Sequence, residues 1–296
     1  MKARLVGQVK QSDKSGESDR SNKSDRKNAM NRIEAMFAEK ARSGQRAFIP
    51  YITAGFPDLD RTEQILLLLA EKGADLIELG VPFSDPIADG PTIQKASADA
   101  LAAGASVVKI LGLVGRVRRR TEVPLLLFSA FNPLFHYGLS KIADEAKAAG
   151  ADGFLVPDLP PEESADFEAI CRERDIPLIY LVAPTTPPER REMIARRARG
   201  FIYYISLKGV TGERASLAAD LEQEVAELRR HTTLPIAVGF GISRPEHVRE
   251  VARFAEGIVV GSAIVKKIEE LRNDPQWQAK LGEFVASLAS AAHIIR

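Results

Sequence analysis

Glu78 is set in the run Leu76-Ile77-Glu78-Leu79-Gly80, a carboxylate among apolar residues. In an extended strand it shares a face with Leu76 and Gly80, and an acid on such a face costs free energy unless it is paired or hydrogen-bonded. Two readings follow. Either Glu78 pairs with a neighbouring Lys or Arg, or burial raises its pKa and suits it to give a proton and take one back near neutrality. The next stretch, Val81-Pro82-Phe83-Ser84-Asp85-Pro86-Ile87-Ala88-Asp89-Gly90-Pro91, adds two acids among turn residues. Asp before Pro or Gly is ordinary turn chemistry, the stronger reading for Asp85. For Asp89 turn and site readings stand level; what favours a site is a long loop over the same mouth as Glu78, where two carboxyls in unlike surroundings can divide acid and base work.

Three later segments bear glycines: Gly209-Val210-Thr211-Gly212, Gly239-Phe240-Gly241-Ile242-Ser243, and Gly261-Ser262-Ala263 running into a helical pattern. Any one is a simple turn by itself. Together, at adjacent strand ends, they offer unobstructed backbone N–H groups and a helix start, which suit a phosphate. Lys208 has the type for a Schiff base, but its polar loop gives no desolvation, so a solvated lysine is expected. Tyr203 alternates with Phe201 and Ile205, which fits a core aromatic and a site residue equally.

These residues need a frame. Short apolar runs at Phe48–Thr53, Leu76–Leu79, Leu125–Ser129, Phe154–Val156, Leu178–Val182, Phe201–Ile205, Ile236–Val238 and Ile258–Val260 alternate with helical patterns, as an α/β chain forming a parallel (β/α)8 (TIM) barrel requires. Runs two, four, six and eight follow a glycine able to close a helix in the left-handed conformation (Gly73, Gly150, Gly200, Gly257), and runs three, five and seven follow Pro124, Pro177 and Pro235. A doubly wound open sheet competes, yet no G-x-G-x-x-G follows the first run. In a barrel the chemistry sits at the carboxyl ends of the strands, where Glu78, Asp89 and the glycine segments all fall. Trp277, Leu281, Phe284, Val285 and Leu288 predict a last helix packed outside, and Ile33, Met36 and Phe37 an extra helix ahead of the first strand.

Residues 1–28 differ from the rest. They carry a charge of +4 against −3 for the remainder, almost no large apolar residues, and serine at every third position from Ser12 to Ser24. Such a stretch does not repay ordering entropy by burial, so a disordered tail is expected, followed by one barrel domain over 29–296. It lacks the apolar region of a secretory signal and is too acidic for a transit peptide. With 41 basic and 40 acidic residues there is no bulk attraction to nucleic acid or an anionic membrane. One cysteine, Cys171, excludes an internal disulfide, and His136, His231, His247 and His293 show no metal-ligand spacing, so a cytoplasmic, metal-free protein is expected.

The stretch from Glu78 to Pro91 resembles the signature of the tryptophan synthase α-subunit family, supported by Gly209-Val210-Thr211-Gly212 and Gly239-Phe240-Gly241-Ile242-Ser243, and the likeness runs from about Met30 to the C-terminus. It implies a barrel that cleaves indole-3-glycerol phosphate to indole and glyceraldehyde 3-phosphate with no cofactor of its own. By that resemblance Glu78 is acid and base, Asp89 holds the ring N–H, Tyr203 is an active-site tyrosine, and Thr211 orders the Asp89 loop. Gly212, Gly241, Gly261 and Ser262 match phosphate positions, and Tyr51, Leu155 and Leu181 line the indole pocket. Tyr51 stands where phenylalanine is commoner, so its hydroxyl needs a polar partner, and Leu207-Lys208 departs from the family's usual pair. Met30-Asn31-Arg32-Ile33 resembles the family's start. The resemblance further implies an α2β2 complex whose β subunit carries pyridoxal phosphate and receives indole. Rival readings are a stand-alone lyase using the same residues and a catalytically weak activator of the β subunit; the presence of both Glu78 and Asp89 argues against the latter. Apolar and proline-rich loops (Pro82, Phe83; Phe131, Pro133, Leu134, Phe135; Leu159, Pro160, Pro161) offer a docking rim, unless they pack inward and cap the barrel.

Overall fold

The computed structural model describes residues 30–86, 89–205, 214–239 and 241–293, with the backbone alone for 214–219. The expected tail at residues 1–28 lies outside the described residues. Eight parallel strands, β1 (Ala47–Thr53), β2 (Ile77–Gly80), β3 (Leu125–Phe128), β4 (Gly153–Leu155), β5 (Leu178–Val182), β6 (Ile202–Ile205), β7 (Ile236–Gly239) and β8 (Gly257–Val260), pair in chain order and close β8 onto β1. Each falls within one residue of its predicted run.

Three odd strands share a device. Pro124, Pro177 and Pro235 precede β3, β5 and β7, and their carbonyls accept from Ile77, Phe154 and Ile202 on the preceding strand. A proline there extends the ladder through its C=O while its missing N–H falls outside the sheet. Ahead of the even strands, Gly73, Gly150 and Gly200 have positive φ, as expected. Gly257 corrects the pattern: it is the first residue of β8 and pairs with Ala47 and Ala237. A Cβ there would lie 2.8 Å from the Ala237 methyl and 3.0 Å from Ile49, so its small size serves close packing inside the barrel rather than a helix cap.

Ahead of the barrel, α1 (Arg32–Ser43) is capped by the Asn31 side chain, which accepts from the Ile33 N–H, and ends at Gly44 in the left-handed conformation. Asn31 also donates to the carbonyls of Asp152 and Asp175, fixing the helix under the amino ends of the strands. Its apolar stripe plugs that end. Ile33 and Phe37 are buried with Ala47, Leu76, Leu126 and Phe201, and Phe37 lies 5.3 Å from the Phe201 ring. Each such side chain stabilises by roughly 1.5–3 kcal/mol.

The remaining helices are α2 (Leu59–Glu71), α3 (Pro91–Ala102), α4 (Val107–Arg118), α5 (Phe131–Tyr137), α6 (Leu139–Ala149), α7 (Ala165–Glu173), α8 (Pro188–Arg197), α9 (Arg214–Arg229), α10 (Pro245–Val251), α11 (Ser262–Glu270) and α12 (Trp277–Ala292). The last packs outside the barrel on Leu281, Val285 and Leu288, as its spacing predicts. With one end plugged, the carboxyl ends of the strands form the mouth.

Candidate active site

Glu78 lies on β2 with Tyr51 of β1 and Leu126 of β3 as its register neighbours. It is 1% exposed, and its Oε1 has no hydrogen-bond partner among the described residues. Among the described residues, then, no Lys or Arg pairs with it. Burial alone pushes this carboxyl up to about 8, so it keeps its proton at neutral pH.

Asp89 stands half-buried in the loop leading to α3, and burial raises its pKa too. Its main-chain carbonyl accepts from the Gln94 side chain at 2.8 Å, and Gly90 and Pro91 start α3 immediately after it. Asp85 is exposed and accepts from the Ser84 hydroxyl at 2.5 Å, which is turn chemistry. The intervening Ile87 and Ala88 lie outside the described residues.

Two tyrosines face the interior through the same device. A Cβ at Gly80 would lie 2.1 Å from the Tyr51 hydroxyl, and one at Gly239 would lie 2.1 Å from the Tyr203 hydroxyl. In register, Thr53 pairs with Gly80 and Ile205 with Gly239, so each phenol extends over a glycine on the next strand, paired two residues beyond the tyrosine. No other residue leaves that space. Burial raises both phenols strongly; at Tyr51 Asp89 and then Glu78 add to this while the Thr53 hydroxyl opposes it, and at Tyr203 Glu78 and then Tyr51 add to it. Tyr203 is thus a buried aromatic whose hydroxyl also senses Glu78.

The wall opposite is apolar. Leu155 is buried, Leu181 half-buried, and both pack with the interior cluster. Phe128 meets Tyr51 edge-on, with ring centroids 5.4 Å apart. At the other side of the mouth Gly241 takes φ +75°, and Gly261 precedes α11, whose first residue is the exposed Ser262. Helix-start N–H groups there suit an anion. The Ser243 N–H donates to the buried His247 Nδ1 at 3.4 Å, which ties down the loop after β7. Thr211, Gly212, Leu207 and Lys208 lie outside the described residues.

Sequence reasoning missed Thr53, Phe128 and His247. Thr53 is 1% exposed beside the Tyr51 hydroxyl, with no well-formed hydrogen bond at Oγ1 among the described residues, and its position two beyond Tyr51 on one strand face was a readable signal. Phe128 and His247 gave no such signal, since their roles depend on neighbours distant in sequence or on loop geometry. The arrangement joins a protonated carboxyl, a second acid, two phenols, an apolar wall and an anion-binding end, and so can hold a phosphorylated aromatic molecule and exchange protons with it.

A sequence model of the family described as tryptophan synthase alpha chain matches residues 37–293. The tryptophan synthase alpha chain of Geotalea uraniireducens is 48% identical over 259 residues, covering 88% of this chain and 97% of that one. That of Geobacter sulfurreducens is 49% identical over 255 residues, covering 86% and 95%. Among solved structures, the Legionella pneumophila tryptophan synthase alpha chain superposes with a TM-score of 0.82 at 36% identity, covering 89% of this chain and 98% of that one. Mycobacterium tuberculosis tryptophan synthase gives a TM-score of 0.82 at 32% identity, covering 90% and 100%. A likeness this extensive, on the same barrel, makes the chain a member of the tryptophan synthase alpha chain family.

Proposed function

We propose that Glu78, Asp89 and Tyr203 carry the alpha reaction of tryptophan synthase in this chain. That reaction cleaves indole-3-glycerol phosphate to indole and glyceraldehyde 3-phosphate in tryptophan biosynthesis. It needs a proton delivered to ring carbon C3, positive charge tolerated at the ring nitrogen, and a proton taken from the hydroxyl on the adjacent side-chain carbon. Breaking the bond then returns its electron pair to the ring and leaves an aldehyde. Atoms and charges balance, and no electron carrier is called for.

The observation that carries the assignment is the buried Glu78, with its Oε1 unpartnered among the described residues and its pKa raised. Protonated at neutral pH, it gives its proton to C3, and as carboxylate it takes one from the side-chain hydroxyl. Asp89 accepts the ring N–H and stabilises the charge that develops there. Tyr203 orients the reacting carbon beside Glu78. Leu155, Leu181 and the Tyr51 ring hold the indole, while Gly241, Gly261, Ser262 and Gly212 take the phosphate and Thr211 orders the Asp89 loop. The test is indole release from indole-3-glycerol phosphate by the purified chain with and without a β subunit. A rate lowered about 10²-fold or more in Glu78→Gln is expected; no indole under either condition would sink the reading.

The partner is a tryptophan synthase β subunit in an α2β2 assembly, with pyridoxal phosphate bound in that subunit. The rim supports this in part. Pro82, Leu134, Leu159 and Pro161 are buried and cap the barrel themselves, whereas Phe135 is 61% exposed and is the anchor available to a partner. Among the described residues no single helix is long and apolar enough to cross a membrane.

A further inference from the structure

Of the eight strands, β1 lies between the one that ends at the phosphate position and the one that holds the acid. β8 runs into Gly261 on one side of it, and β2 carries Glu78 on the other. A substrate with its phosphate at Gly261 and its ring carbon C3 at Glu78 must lay the glycerol carbons between them across β1. Those carbons bear two hydroxyls.

The face of β1 at that point is polar. Tyr51 and Thr53, two residues apart, point to the same side of the strand. The Tyr51 ring passes 3.6 Å from where a Gly261 Cβ would stand, and its hydroxyl occupies the space left by Gly80. Thr53 is buried beside the Tyr51 hydroxyl, which its own hydroxyl influences, and its Oγ1 makes no well-formed hydrogen bond among the described residues. A buried hydroxyl without a partner costs free energy that a bound polar group restores. Tyr51 therefore spans the gap between the phosphate end and the acid, and Thr53 lies beside it with hydrogen-bonding capacity to spare.

We propose that the Tyr51 and Thr53 hydroxyls form the subsite for the glycerol hydroxyls of the substrate, holding the hydroxyl that loses its proton within reach of Glu78. This rests on the reading of the reaction given above. The two residues are positioning and specificity groups: they select a side chain that carries hydroxyls over one that carries only phosphate and indole. Tyr51 then has two parts with two tasks, its ring against the indole and its hydroxyl against the glycerol.

The test compares two ligands on the chain in the presence of a β subunit. One is indole-3-glycerol phosphate, read as kcat/KM. The other is indole-3-propanol phosphate, which keeps phosphate and indole but lacks both hydroxyls, read as an inhibition constant. Tyr51→Phe and Thr53→Val are expected each to lower kcat/KM about tenfold, the scale of one lost hydrogen bond, while inhibition by the propanol phosphate stays within about twofold. Thr53→Ser, which restores the hydroxyl, is expected to restore the rate. Equal losses for both ligands, or no loss for the substrate in either variant, would overturn the proposal. Absence of indole release by the unmodified chain is a different failure, since it removes the reaction itself.

Discussion

Each end of this barrel buries a carboxyl group, and the two are treated in opposite ways. At the amino end Asp152, 3% exposed, accepts from Arg118 at 2.7 Å, from Arg32 at 3.1 Å and from the Leu125 N–H at 2.9 Å. Burial still holds its pKa above the ordinary value, and both arginines and the Leu125 amide pull against that shift. At the carboxyl end Glu78 is buried as deeply, with one oxygen unpartnered and, among the described residues, nothing opposing the rise of its pKa. The first arrangement ties α1, α4 and the barrel wall together. The second leaves hydrogen-bonding capacity unused among the described residues, which lowers stability and, in the proposed reaction, keeps a proton available. Burial by itself does not distinguish a structural acid from a chemical one; the partners do.

The contrast breaks first at Glu78. Glu78→Gln and Asp89→Asn are each expected to lower indole formation by about 10²-fold or more, the usual worth of acid–base catalysis, with the circular dichroism of the folded chain unchanged. Removing the acid at the other end has the reverse signature. Asp152→Asn leaves Arg118 and Arg32 facing a neutral group and is expected to cost about 3–5 kcal/mol in urea unfolding, with kcat of the folded fraction kept. A variant that lost rate but no stability would place Asp152 in the chemistry instead.

Smaller effects sharpen the same comparison. In Gly239→Ala the new methyl would collide with the Tyr203 hydroxyl and displace it, so kcat is expected to fall roughly tenfold or more while KM for the substrate changes little. A chain starting at Met30 is expected to melt with the full-length chain and turn over at the same rate, because residues 1–28 hold little that a core could bury. A melting point lower by several degrees would show that they dock.

Much of the frame was legible in the chain. Proline and glycine punctuation marked six strand starts, since φ restriction and positive φ are local properties, and Glu78 declared itself as an acid in an apolar strand. Gly257 was misread because a glycine required for close strand packing looks the same in sequence as one that caps a helix. The Tyr51–Gly80 and Tyr203–Gly239 pairs were hidden, because they depend on the stagger between adjacent strands rather than on spacing along one. The Asp152 cluster was hidden for the same reason, its arginines standing 34 and 120 residues away in sequence. Tertiary partners, which decide whether a buried acid is structural or chemical, are what a single sequence conceals.

The central claim is that Glu78 is buried uncharged at a cost to the fold. Its pKa stands near 8 in the folded chain against 4.5 as its ordinary value, so between those values the unfolded chain binds fewer protons and stability falls as pH rises. The most direct test is urea unfolding of the unmodified chain and of Glu78→Gln from pH 4 to pH 9. The stability of Glu78→Gln relative to the unmodified chain is expected to rise through that window, reaching a gain on the order of a few kcal/mol above pH 8. A difference that is flat across the range, or that turns against Glu78→Gln as pH rises, would contradict the account.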